Sequence, residues 1–148
     1  MKRVPSKANS LSAAYFELTK PNITFLILIS TALGYYLGAD GIDNWSKLFI
    51  TLIGSGLVSS GAGALNHYAE QESDQRMNRT KSRPIPIGMI LPNHAMLFGN
   101  IIILLGVAIL FFLINKLTAI LAISTALLYL FVYTPLKKIT WLNTSIGA

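Results

Sequence analysis

Hydrophobic positions fall into four long, nearly uninterrupted runs, 23–39, 48–68, 95–114 and 117–133, separated by polar punctuation. Each is close to the roughly 20 residues needed to cross about 30 Å of hydrocarbon. None alternates with period two, and a backbone in lipid must satisfy its own hydrogen bonds, so the pattern predicts four transmembrane helices. Ahead of them, Leu11 to Leu18 is an aromatic, amphipathic stretch, and Thr19-Lys20-Pro21-Asn22 reads as a helix start with proline in the first turn. That start makes the first run a span rather than a cleavable signal peptide. The expected fold class is therefore all-α, a single transmembrane domain over residues 1–148.

Composition agrees. Of 148 residues, 53% are hydrophobic and only 12% charged, against about 25% charged in a typical soluble domain. Disorder and a nucleic-acid-binding domain are both excluded by this balance, because the cations are thinly spread. Zero cysteine rules out a disulfide scaffold, thiolate ligands and a thiol nucleophile.

The net charge of +6 is a matter of topology. Lys2, Arg3, Lys7 and Lys20 precede the first run, Arg76, Arg79, Lys81 and Arg83 lie between the second and third, and Lys137 and Lys138 follow the fourth; only Lys47 and Lys116 occupy the alternate loops. Ten cations against two predict a cytoplasmic N-terminus, long loop and tail. A bacterial cell membrane is favoured over the mitochondrial inner membrane.

Within the second run, Gly54, Ser55, Gly56, Ser59, Ser60, Gly61, Gly63 and Ala64 form a nearly continuous small surface. Close helix packing is the expected use, since no strand precedes the run and no Lys-Ser/Thr follows it, as a phosphate loop requires.

The chemistry concentrates where the second run ends. The loop 70–93 is long and polar, and Glu70, Glu72 and Asp74 are half of the six acidic residues. Asn66, Glu70 and Asp74 are spaced i, i+4, i+8. If the helix continues through them they rise about 6 Å per step and drift only about 40° around the axis, so three oxygen-bearing side chains share one face. Such a set suits Mg²⁺, a hard ion usually completed by water and substrate phosphate oxygens. Arg76, Arg79, Lys81 and Arg83 follow, and carboxylates beside guanidiniums fit a metal-bridged diphosphate. On a helical continuation Arg79 and Arg83, four apart, would share a face. An ordinary solvated loop with topological cations is the competing interpretation. At the end of the fourth run, Tyr133 and Lys137 place a phenol and an ammonium four residues apart on the same side of the membrane. His67 and His94 are read as hydrogen-bonding residues rather than haem ligands.

The pattern Asn66-x-x-x-Glu70-x-x-x-Asp74-x-x-Met77-x-Arg79-Thr80-x-x-Arg83-Pro84 resembles the first acidic motif of the UbiA superfamily of intramembrane prenyltransferases, and its Met-x-Arg-Thr-x-x-Arg-Pro extension resembles the protohaem IX farnesyltransferase (haem O synthase) branch. Leu18-Thr19-Lys20-Pro21, Tyr133-Thr134-x-Leu136-Lys137-x-x-Thr140 and Asn143-x-x-Ile146-Gly147 resemble further pieces of that branch. Glu70 stands where many members of the superfamily have Asp. The resemblance implies a nine-helix bundle, of which this is the N-terminal part, that transfers the farnesyl group of farnesyl diphosphate to a vinyl group of haem b, giving haem O. It further implies Asn66, Glu70 and Asp74 as catalytic and Mg²⁺ ligands, Arg79, Arg83, Tyr133 and Lys137 as substrate-binding residues, and a downstream haem A synthase as a partner.

Members of that branch are about twice as long, and after Asp74 this chain has no Asp or Glu to form a second acidic motif. The expectation is an N-terminal half, inactive alone. Two alternatives are a sister prenyltransferase acting on an aromatic or quinone precursor and a non-enzymatic four-helix membrane subunit; the latter predicts polar residues well inside the spans, whereas the spans here keep their acids at the ends.

Overall fold

The computed structural model describes residues 10–38 and 41–139. The described residues form helices joined by turns: α1 (Leu11–Leu18), α2 (Pro21–Gly38), α3 (Trp45–Arg76), α4 (Pro92–Leu113), α5 (Lys116–Leu127), a π-helical turn (Leu128–Tyr133) and α6 (Thr134–Ile139). Four of these stretches are long and apolar enough to cross a membrane, namely Pro21–Gly38, Trp45–Arg76, Pro92–Leu113 and Lys116–Leu136. Large apolar side chains such as Phe25, Leu104, Phe112 and Phe131 face outward, as expected where lipid replaces water. The protein is an integral, multi-pass membrane protein.

Helix starts follow local chemistry. Ser10, Asn44 and Asn115 cap α1, α3 and α5 with side-chain oxygens that accept the N–H of Ala13, Lys47 and Thr118. Pro21 and Pro92 open α2 and α4, where the missing N–H has no intrahelical partner to lose.

Glycine decides how α3 meets α4. A Cβ on Gly61 would lie 2.6 Å from the carbonyl oxygen of Gly99, and one on Gly106 would lie 2.7 Å from that of Gly54. Two backbones touch there with nothing between them, so the small-residue surface is used for packing. Gly63 lets the turn after α1 approach α3 closely, with Leu18 O at 3.0 Å from its would-be Cβ. By contrast, α2 has no buried residue and meets α3 at points such as Leu28 against Gly56 and a 3.1 Å hydroxyl pair between Thr24 and Ser59.

Two differences from the sequence reading concern the second loop. The helix runs to Arg76, well beyond the apolar run, so the connection shrinks to 77–91. It is also packed rather than freely solvated. Pro84 is buried, and Ile85 and Ile90 are buried against Ala14, Leu18, Ala64 and Ala95, with the tilted pair Tyr15 and Phe98 beside them, ring centroids 4.9 Å apart. The carbonyl of Pro84 accepts from the N–H groups of both Met89 and Ile90, and Gly88 supplies the positive φ (75°) this tight return needs.

Candidate active site

The site is built on the last three turns of α3. Polar residues extend the helix past its apolar stretch, and they place Asn66, Glu70 and Asp74 along one face, all buried (0, 4 and 4% exposed). Burial of two carboxylates requires compensation. It comes from the loop: Arg83 Nη1 donates to Asp74 Oδ2 at 2.6 Å and lies 4.0 Å from Glu70 Oε2. The loop is tied to the helix end as well, since the buried Thr80 hydroxyl donates to the carbonyl of Asp74 at 3.1 Å and Arg83 N–H donates to Thr80 O.

Asn66 faces a different set. Its amide oxygen accepts from Lys20 Nζ, and its Nδ2 donates to Thr134 Oγ1 at 2.9 Å. Thr134 in turn donates to the carbonyl of Tyr129 at 2.8 Å. That carbonyl is available because the chain winds as a π-turn here, its N–H bonds reaching five residues back, and it also takes the Thr134 N–H. The same turn stacks Tyr129 on Tyr133, ring centroids 5.6 Å apart.

Lys20 sits between α1 and α2. Pro21 disfavours the right-handed helical conformation for the residue before it, and Lys20 takes φ 50° instead, a left-handed backbone that costs a non-glycine residue about 1–2 kcal/mol. Its side chain turns inward, donating to Asn66 and, at 3.2 Å, to the Tyr129 hydroxyl. Below it opens a groove of about 340 Å³ between α2, α3 and α5, lined chiefly by apolar side chains such as Ile23, Ile27, Val58, Ala62 and Ala126.

The residues predicted from sequence thus separate. Glu70, Asp74 and Arg83 converge on one point, and Asn66 joins Lys20, Thr134 and Tyr129 beside it. Arg79 lies apart. It is exposed and does not share a helical face with Arg83, because α3 ends at Met77, whose extended backbone (φ −95°, ψ 129°) breaks the helix before the two arginines are reached. Tyr133 reaches the cluster through its stack on Tyr129. The side chain of Lys137 lies outside the described residues, as does the stretch 143–147. Sequence reading missed the roles of Lys20, Thr134, Tyr129 and Thr80. Tyr129, four residues before Tyr133, is the signal available for the pair; Lys20 reads in the sequence as a topological cation and as part of the Leu18-Thr19-Lys20-Pro21 resemblance, without a site role.

Among the described residues no group of three His, Cys, Asp or Glu is placed to hold a metal. The donors fit Mg²⁺ in another way: Glu70 and Asp74 offer hard oxygens toward the single point where Arg83 now supplies positive charge, and this ion commonly takes one or two carboxylates and fills its shell with water and phosphate oxygens.

Comparison with known proteins narrows the chemistry. Residues 27–148 match the family described as the UbiA prenyltransferase family. Among curated proteins, the chain is 42% identical over 143 residues to a protoheme IX farnesyltransferase of Solibacter usitatus, covering 90% of this chain and 49% of that one. It is 45% identical over 132 residues to one of Leptospira biflexa (88% and 46% covered) and 40% identical over 135 residues to one of Synechocystis (90% and 43% covered). The chain spans about half the length of these relatives. No solved structure matches it.

Proposed function

The chain belongs to the UbiA prenyltransferase family, and we propose that it forms the diphosphate-binding half of a protohaem IX farnesyltransferase, which joins the farnesyl group of farnesyl diphosphate to a vinyl group of haem b to give haem O. The observation that carries this reading is the convergence of Glu70, Asp74 and Arg83 on one buried point at the end of α3. A chain of relatives named for this activity, at 40–45% identity, supports the choice of haem as acceptor.

Glu70 and Asp74 would hold the metal, with Asn66 beside them, and Mg²⁺ when bound would neutralise the leaving diphosphate. Arg83, with Arg79, Tyr133 and Lys137, would contact diphosphate or haem propionates. Arg83 is poised for exchange: a diphosphate arriving with its own cation offers the guanidinium a forked acceptor as good as the carboxylate it leaves. In the reaction the allylic C–O bond breaks with its electron pair leaving on diphosphate. The vinyl π-electrons form the new C–C bond, and water adds to the resulting cation with loss of a proton. No nucleophilic side chain is needed. Catalysis here is electrostatic, since charges already fixed in a site of low dielectric act on the leaving group without reorganising.

Orientation is part of the same proposal. The cation distribution supports a site on the cytoplasmic side, and the proposal sets it in a bacterial cell membrane with a haem A synthase as the class of enzyme that takes the product. A reporter fused after Lys138 is expected in the cytoplasm and one inserted at Asp43 outside; finding both on one side rules out the orientation. For the activity, membranes carrying the full-length gene product are incubated with haem b, farnesyl diphosphate and Mg²⁺. Haem O is expected, and Asp74→Asn is expected to abolish most of it at equal protein level. Prenylation of 4-hydroxybenzoate in place of haem overturns the assignment in favour of an aromatic acceptor.

A further inference from the structure

Asn100 stands on α4 six residues, or about 9 Å, beyond His94, inside an apolar span. Its side chain is exposed, between Leu97 and Leu104 at 58 and 66% exposure. Outward hydroxyls in other spans close on their own helices, Ser30 donating to Leu26 O and Thr125 to Leu121 O. A carboxamide has more to satisfy. Asn100 Nδ2 donates once, to Met96 O at 2.9 Å, which leaves its second N–H and its Oδ1 acceptor without a partner among the described residues. Hydrocarbon offers them none, and an asparagine is too short to reach the headgroups from this depth.

The exposed residues around it form a seam. Asn93, Leu97, Asn100, Leu104 and Phe111 are spaced four, three, four and seven apart, the a/d spacing of a supercoiled helix pair. At 100° per residue they fall within about 60° of one another around α4. They lie away from Gly99 and Gly106, which meet α3. No residue of α4 lines the groove between α2, α3 and α5, so the seam is a separate surface. Leucine on either side of one amide is the arrangement in which a single asparagine fixes the register of two helices.

We propose that this face of α4 binds the same face of a second copy of the chain, with Asn100 paired to Asn100 across the interface. Symmetry selects that partner. Two copies inserted in the same orientation are related by a twofold axis along the membrane normal, so helices meeting on the axis run parallel and bring identical residues together at equal depth. An amide is both donor and acceptor, and two Asn100 side chains satisfy each other. Any other helix would have to carry its own polar group to that depth. The proposal is independent of the reaction argued above, because association and not activity reads it.

The chain has no cysteine, so single replacements report contacts against a silent background. Expressed in membranes and oxidised with copper phenanthroline, Leu97→Cys, Asn100→Cys and Leu104→Cys are expected to give a disulfide-linked dimer. Leu105→Cys and Phe112→Cys should stay monomeric, since those positions are also exposed (52 and 79%) but lie about 90° or more around the helix from the seam. In phosphatidylcholine vesicles, energy transfer between donor-tagged and acceptor-tagged copies should fall as lipid dilutes them. Asn100→Leu should weaken that association roughly 3- to 30-fold, the range of an interhelical side-chain hydrogen bond in a bilayer, and Asn100→Gln should recover most of it. Equal cross-linking at all five positions, none at the three seam positions, or equal or tighter association of the leucine variant overturns the proposal. So does loss of the seam cross-links in the full-length gene product, which gives this face to the rest of the same polypeptide.

Discussion

Asn66 on α3 donates its amide to Thr134 Oγ1 at 2.9 Å across 68 residues of sequence, both side chains buried. This bond joins the end of the second span to the end of the fourth. It also fixes which way the Asn66 oxygen points, and therefore where Lys20 is held. Thr134→Val keeps the shape and removes the acceptor, leaving a buried amide N–H without its partner. A loss of about 1–3 kcal/mol is expected, read as a lower unfolding midpoint in detergent, whereas Thr134→Ser should stay near wild type. Equal midpoints for the valine and serine variants would show that the bond contributes nothing.

The glycine contact between α3 and α4 makes a second prediction with an internal control. Gly61→Ala puts a methyl 2.6 Å from both Gly99 O and Ile103 Cγ1. Neither backbone can yield without the helices separating, at a cost of about 1–3 kcal/mol. At Gly34 a Cβ meets nothing within 4 Å, and Gly34→Ala should be neutral or stabilise by up to about 1 kcal/mol. Both are read from thermal unfolding of the same chain, and similar effects at the two positions would contradict the packing described.

Arg83 and Asp74 should be coupled. Removing either partner leaves the other's charge in a largely buried place, while removing both takes this pair away together. In a double-mutant cycle, Asp74→Asn and Arg83→Gln are therefore expected to destabilise singly and to show a coupling energy of about 1–3 kcal/mol together. Additive effects would mean that the 2.6 Å contact has no energetic role. In the full-length enzyme, Arg83→Lys keeps the charge but loses the planar fork, so haem O formation should fall by roughly one to two orders of magnitude at unchanged protein level.

At the far end of the bundle, Tyr35 donates to Asp43 Oδ1 at 2.5 Å. This hydrogen bond, partly offset by desolvation, holds the Asp43 carboxyl below the usual aspartate range. A depressed carboxyl contributes stability that is present above its unfolded value and lost as pH falls through its folded value, so the link between α2 and α3 should weaken only in acid below the ordinary range. Titration of the Asp43 carboxyl carbon by NMR should show the low midpoint, and Tyr35→Phe should move it up toward the ordinary value. A midpoint unmoved by Tyr35→Phe would assign the shift to something else.

The four spans, the helix start at Pro21 and the shared face of Asn66, Glu70 and Asp74 all follow from the chain's own order of residues. Each depends on period and punctuation: apolar runs of the length a membrane requires, proline where an N–H is dispensable, and spacing by four along a helix. The alternative of a solvated loop was also open at that level, because spacing says that three side chains share a face and not what covers it. Only tertiary structure supplied the cover. Arg83 comes back onto Asp74 because the Pro84–Ile90 return is buried against α1 and α4, a packing with no local signature. Arg79, its apparent twin four residues earlier, is left outside by the end of α3 at Met77. Lys20, counted in the sequence as one topological cation among ten, became part of the site when a left-handed turn before Pro21 aimed it at Asn66, 46 residues away. Charge can be counted along a chain; the direction in which a charge points depends on backbone angles and on partners that only the folded molecule brings within reach.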